Sequence, residues 1–102
     1  MEYKKTYLNS YRLQENIIRT LNRMIIENPS KSNHFFKKIE ECEKLRTEIA
    51  DKIAQVDEPR LKVILYEKYI NGLTLEAIAP ILNYSKRHTE RLHIAALKAF
   101  KI

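Results

Sequence analysis

The sequence predicts an all-α fold: a long N-terminal antiparallel helical hairpin over residues 1–56, then a C-terminal helix-turn-helix unit over residues 57–102. Three observations predict it. One glycine and three prolines in 102 residues leave little turn chemistry for a β-sheet. Apolar residues recur at three- and four-residue steps along most of the chain, the period of a helix face. The hydrophobic content, 44%, is enough for a core. A chain this short still leaves roughly a third of its unfolded surface exposed, so oligomerisation would help it.

The first helix is expected over Thr6 to Glu27, with Leu8, Tyr11, Ile18, Leu21 and Ile25 on its stripe and Ile17, Met24 and Ile26 widening it. Asn28-Pro29-Ser30 ends it, because the residue before a proline disfavours the helical region. Lys31 to Asn33 read as a polar loop. A second long helix follows from His34 to Val56, with Phe35, Ile39, Cys42, Ile49, Ile53 and Val56 near heptad spacing. Both stripes are wide enough to face a partner as well as each other, which predicts a homodimer or another partner on residues 1–56. The rival is a hairpin that packs only on the C-terminal unit.

A third helix starts at Pro59, a favoured first-turn residue, with Asp57 as its expected cap. Leu61, Ile64, Leu65 and either Tyr69 or Ile70 face inward. Gly72 ends it, since glycine takes the left-handed backbone at least cost. From Thr74 to Phe100 the chain reads TLEAIAPILNYSKRHTERLHIAALKAF, two short helices around a tight turn. Thr74 caps the first, whose buried stripe is expected to be Ile78, Ile81 and Leu82. Asn83 suits a left-handed turn position and Ser85 caps the second helix. Leu92, Ala96 and Phe100 carry the second buried stripe, with Thr89 as a small first member. Lys86, Arg87, Glu90 and Arg91 point outward. Pro80 interrupts the first helix, which should be kinked or shortened there.

The formal charge is +6, and within residues 85–102 five basic side chains face one acid. Such a patch suits phosphate neutralisation, the source of most non-specific DNA affinity. A lone Cys42 excludes an intramolecular disulfide, fits a cytoplasmic setting and reads as a small core residue. No segment approaches the length of a membrane helix, and the N-terminus has no apolar signal core. There is no Gly-rich phosphate loop, no zinc-type Cys pair and no nucleophile elbow. His88 and His93, five apart on a helix, diverge rather than share a metal. No enzyme activity, cofactor or metal is expected.

Tyr69-Ile70-Asn71-Gly72, Thr74-Leu75-Glu76, Ile78-Ala79, Tyr84-Ser85 and Ala96-Leu97 together resemble region four of sigma-70-type factors. They are still more similar to small phage-encoded late-transcription regulators of the ArpU and RinA type, over Asp57 to Phe100. The resemblance implies a transcription regulator of a phage or related mobile element that reads double-stranded DNA with residues 85–100 in the major groove. It puts base or phosphate readers at Lys86, Arg87, Glu90 and Arg91. The residue chemistry adds His88 and Lys98, with Arg87 and Arg91 nearest the bases. Arg87 stands where sigma factors carry an acid, and Glu90 where they carry a base. The alternative is a protein-interaction module that modulates RNA polymerase or a phage transcription regulator without reading DNA.

Overall fold

In the computed structural model, which describes residues 1–102, the only regular structure is helical, with five α-helices and no strand. These are α1 (Glu2–Glu27), α2 (Ser32–Ala54), α3 (Pro59–Leu65), α4 (Leu75–Leu82) and α5 (Lys86–Ala99). A 3-10 turn, Pro29–Lys31, joins α1 to α2, and a π-helical turn, Tyr66–Ile70, continues α3. The molecule is elongated, 52 × 24 × 21 Å. No helix is long and apolar enough to cross a membrane.

The first two helices run antiparallel. Tyr7 donates its hydroxyl hydrogen to the Glu48 carboxylate. Further along, Glu15 lies 3.9 Å from Arg46, whose guanidinium also covers the Tyr11 ring. Each helix starts earlier than its apolar period predicts. α1 begins at Glu2 rather than Thr6, because Lys4 extends its amine to the Leu97 carbonyl at 2.8 Å and ties the first turn to the far end of the chain. α2 begins at Ser32 rather than His34, since a 3-10 turn opened by Pro29 runs to Lys31 and leads straight into the helix, so Lys31 to Asn33 form no polar loop.

Ten residues form the main core: Leu8, Ile49, Ile53, Val56, Leu65, Tyr69, Ile70, Ala96, Leu97 and Phe100. They come from α1, the end of α2, the α3 segment and α5, so residues on both sides of position 57 are buried against one another. The first helix supplies few of the buried side chains. Leu8 is the sole one on α1, and Ile26, expected on the stripe, is 79% exposed at the open end.

The third helix departs from expectation twice. Its cap is Glu58, not Asp57: the Glu58 carboxylate accepts the Leu61 N–H at 2.9 Å. From Tyr66 the helix widens to a π turn, with the Asn71 N–H donating to the Tyr66 carbonyl five residues back. Both Tyr69 and Ile70 face inward across this turn. Gly72 then closes it at φ 76, and the Leu73 N–H reaches the Glu67 carbonyl at 2.9 Å.

The α4–turn–α5 segment follows its caps. Thr74 accepts the Ala77 N–H and Ser85 accepts the His88 N–H, each at 3.1 Å. Asn83 is left-handed at φ 59. The Asn83 N–H bonds the Pro80 carbonyl and the Tyr84 N–H bonds the Ala79 carbonyl, the paired bonds of a Schellman ending. α4 is eight residues long and continues through Pro80, which forfeits a bond to the Glu76 carbonyl on the solvent side. Ile81 corrects the expected stripe: it is 55% exposed. The buried side of α4 centres on Ile78 and Ala79, flanked by Leu75 and Leu82, and Ile81 falls off that arc. On α5, His93 and Leu97 are buried with Thr89, Ala96 and Phe100, whereas Leu92 is half-buried.

Candidate nucleic-acid interface

The N-terminal turn of α5 is fixed before any partner arrives. Ser85 caps with its hydroxyl, and its carbonyl accepts both the Thr89 N–H and the Thr89 hydroxyl, the latter at 2.9 Å. Thr89 is fully buried with its polar atom satisfied, so this turn is pinned from behind. Behind it, the buried His93 imidazole and Tyr69 hydroxyl lie 2.7 Å apart, joining α5 to the π turn. Burial, then the Lys68 and Lys5 charges, lower the His93 pKa to about 4, so the ring is neutral near pH 7. Burial, then Glu2, push the Tyr69 hydroxyl up to about 12.

The expected site residues separate into three groups. Arg87, Arg91 and Lys98 are exposed, and their side chains have no carboxylate or hydrogen-bond partner in the chain. Spaced i, i+4 and i+11, they share one outward face. Ile94, 47% exposed, lies between Arg91 and Lys98 on that face. Lys86 and Glu90 form an edge facing α4, where Lys86 lies 2.9 Å from Glu76 and 3.9 Å from Glu90. The hydrogen bond between them raises the Lys86 pKa and lowers that of Glu76. A phosphate at Lys86 must therefore compete with two exposed carboxylates. His88 is half-buried and turned back, its ring stacked on Tyr84 with centroids 4.2 Å apart.

Sequence reasoning missed the strut behind His88. Arg60 donates to the Tyr84 hydroxyl at 3.2 Å and to Glu58 at 2.8 Å, linking the start of α3 to the α4–α5 turn. Tyr84 and His88 at i and i+4 across a capped turn was the available signal. Arg60, 24 residues away from Tyr84, left none. Ile94 was equally missed, because a single apolar residue among cations reads as ordinary surface.

Chemically, the outward face offers two guanidiniums, an ammonium and one rigid β-branched apolar side chain. Guanidinium forks suit the paired acceptors of guanine or a phosphate, and an ammonium suits a phosphate as a point charge. At the opposite end of α5 the Lys4 amine bonds the Leu97 and Lys98 carbonyls, at 2.8 and 3.5 Å, satisfying the terminal acceptors with the favourable sign of charge. Comparisons with protein-family models, curated proteins and solved structures find no match to this chain.

Proposed function

We propose that the chain is a DNA-reading transcription regulator of a phage or related mobile element, with α4 and α5 acting as a sigma-region-four-like helix-turn-helix. The reading is carried by one observation: Arg87, Arg91 and Lys98 stand unpaired on the outer face of a capped, rear-packed helix. Cations held free of carboxylates need no rearrangement to meet phosphates or base edges. Arg87 and Arg91 contact bases, Lys98 contacts phosphate, and Lys86 and His88 hold the helix edge and turn. Residues 1–56 carry dimerisation, presenting two α5 helices to successive half-sites, about 34–36 Å apart in such dimers.

The test is fluorescence-anisotropy binding to fragments of the source element at about 0.15 M salt, with random DNA as competitor. Selective binding that is lost in Arg87→Ala/Arg91→Ala supports the reading. Binding no better than to random DNA rejects it.

A second reading has its own support. The outward side of α4 carries Ala77, Pro80 and Ile81, all exposed and apolar, with the exposed Glu76 at its edge towards Lys86. A first helix laid across phosphates gains nothing from that surface, whereas RNA polymerase or a phage transcription regulator could bury it. Polymerase capture that is lost in Ile81→Asp, by a chain that binds the source fragments no better than random DNA, favours this second reading.

A further inference from the structure

We propose that the arginine stripe of α1, Arg12–Arg19–Arg23, is a second phosphate-binding surface that extends the duplex contact beyond the α5 site. The inference rests on the DNA-reading function proposed above. The three arginines are exposed and recur at steps of seven and four, so they share one helix face. Arg19 and Arg23 have no carboxylate within ion-pair distance: of the acids one turn away, Glu15 is engaged by Arg46 of α2, and Glu27 stands exposed at the last position of α1. α2 handles its charges in the opposite way, pairing Lys38 with Glu41 and Lys44 with Glu40 along its own surface.

Placement matters as much as sign. Arg12 donates to the Ile70 carbonyl at 3.2 Å and lies against Gly72, two residues before the Thr74 cap of α4. In helix-turn-helix complexes the helix preceding the reader crosses the phosphate backbone. The stripe therefore begins where a backbone would pass. Leu8, one turn before Arg12, is buried in the core, so this side of α1 faces the C-terminal unit. Arg12 is the last α1 residue to hydrogen-bond that unit. Arg19 and Arg23 continue along α1 for about 11 and 17 Å past Arg12. At 3.4 Å per base pair that reach covers roughly three to five base pairs of flanking duplex.

A duplex carries about one negative charge per 1.7 Å of axis, which complements a row of cations with no carboxylate paired to them. Arginine keeps its charge at any working pH, and its fork matches phosphate oxygens. The surface contributes affinity and salt dependence without sequence preference, since phosphates carry no base identity.

The test is the salt dependence of binding by the full chain and by Arg19→Ala/Arg23→Ala, with helicity checked by circular dichroism. Each is titrated on a selected duplex of about three helical turns and on one trimmed to about a single turn around the α5 site. On the long duplex the variant is expected to flatten the slope of log K against log salt by about 1.8 per bound protomer. Its affinity then falls, per protomer, about twelvefold less than wild type between about 50 and 200 mM salt. On the trimmed duplex the two proteins should behave alike, and Arg19→Lys/Arg23→Lys should restore the steep slope. An unchanged slope on the long duplex, with Arg91→Ala still altering specific binding, overturns the stripe and leaves the α5 reading intact. Equal flattening on both duplexes also overturns it, by placing the arginines at the α5 site. A wild-type protein with no salt-dependent binding overturns both.

Discussion

The two halves of the molecule are finished to different degrees. Residues 57–102 fold three helices around closely packed side chains, with caps on α3, α4 and α5 and a hydrogen-bonded pair, Tyr69–His93, inside. Residues 1–56 hold six of the 17 buried residues: Leu8, Ile39, Cys42, Ile49, Ile53 and Val56. Four of these, Leu8, Ile49, Ile53 and Val56, sit at the base, where α1 and the end of α2 meet the C-terminal unit. Toward the open end, Ile17, Ile18, Leu21, Met24, Ile25 and Phe35 are covered only in part, and Leu13 is 55% exposed. One half is a closed core presenting a cationic face; the other is a two-helix arm with apolar surface still to cover. A two-helix arm gains little from helix propensity alone, so its order comes from packing at its base.

The contrast is broken most sharply by truncating each region. Phe100→Ala, at a fully buried site shared by both halves, should cost about 3–5 kcal/mol, read as a denaturant midpoint shift. Ile17→Ala, half-exposed on the arm, should cost under about 1 kcal/mol in the monomer. A similar loss at both positions would mean that the arm is as closed as the core. Next in size is Gly72→Val. Its backbone sits at φ 76 and a Cβ there would lie 2.6 Å from the Arg12 guanidinium, so strain and displacement of Arg12 add together. A loss of about 2 kcal/mol is expected, and an unchanged melting temperature would contradict it.

His93 probes the interior of the C-terminal half. Its folded pKa, about 4, lies below the ordinary value of 6.5, so the unfolded chain binds the proton more readily between those values. The stability it provides is complete above pH 6.5 and is lost as pH falls towards 4. Urea midpoints across that window should fall for wild type and stay flatter in His93→Gln. Smaller again is Ser85→Ala, about 1 kcal/mol for a helix cap. Lys86→Ala should leave stability within error, because its ion pairs are exposed.

Much of this architecture was legible from local signals. Thr74, Asn83 and Ser85 declared the two ends of α4 and the start of α5, because caps and left-handed turns depend on the residue at one position. The hairpin was legible for the same reason, through its stepwise apolar residues and Pro29. The π turn was not, since widening by one residue answers to the cores on both sides and leaves no local mark. Ile81 went wrong because a period of three or four residues fits two neighbouring arcs on so short a helix, and the packing against α5 chose the other. At the candidate site, outward exposure of Lys86, Arg87, Glu90 and Arg91 followed from the stripe behind them. Which cations stay free did not, because Glu76 reaches Lys86 across the turn from another helix. The Lys4 and Arg12 contacts with the C-terminal unit join residues 93 and 58 apart in sequence, beyond any periodic signal.

A ¹⁵N-amide titration of the full chain with the duplex selected in the binding assay reads the proposed DNA face residue by residue. Perturbations are expected on the α5 residues from Lys86 to Lys98, strongest at Arg87, Arg91 and Ile94, and on α1 at Arg19 and Arg23, with Ala77 and Ile81 little moved. Shifts that spare α5, or that gather on the exposed side of α4, would contradict a DNA-reading face.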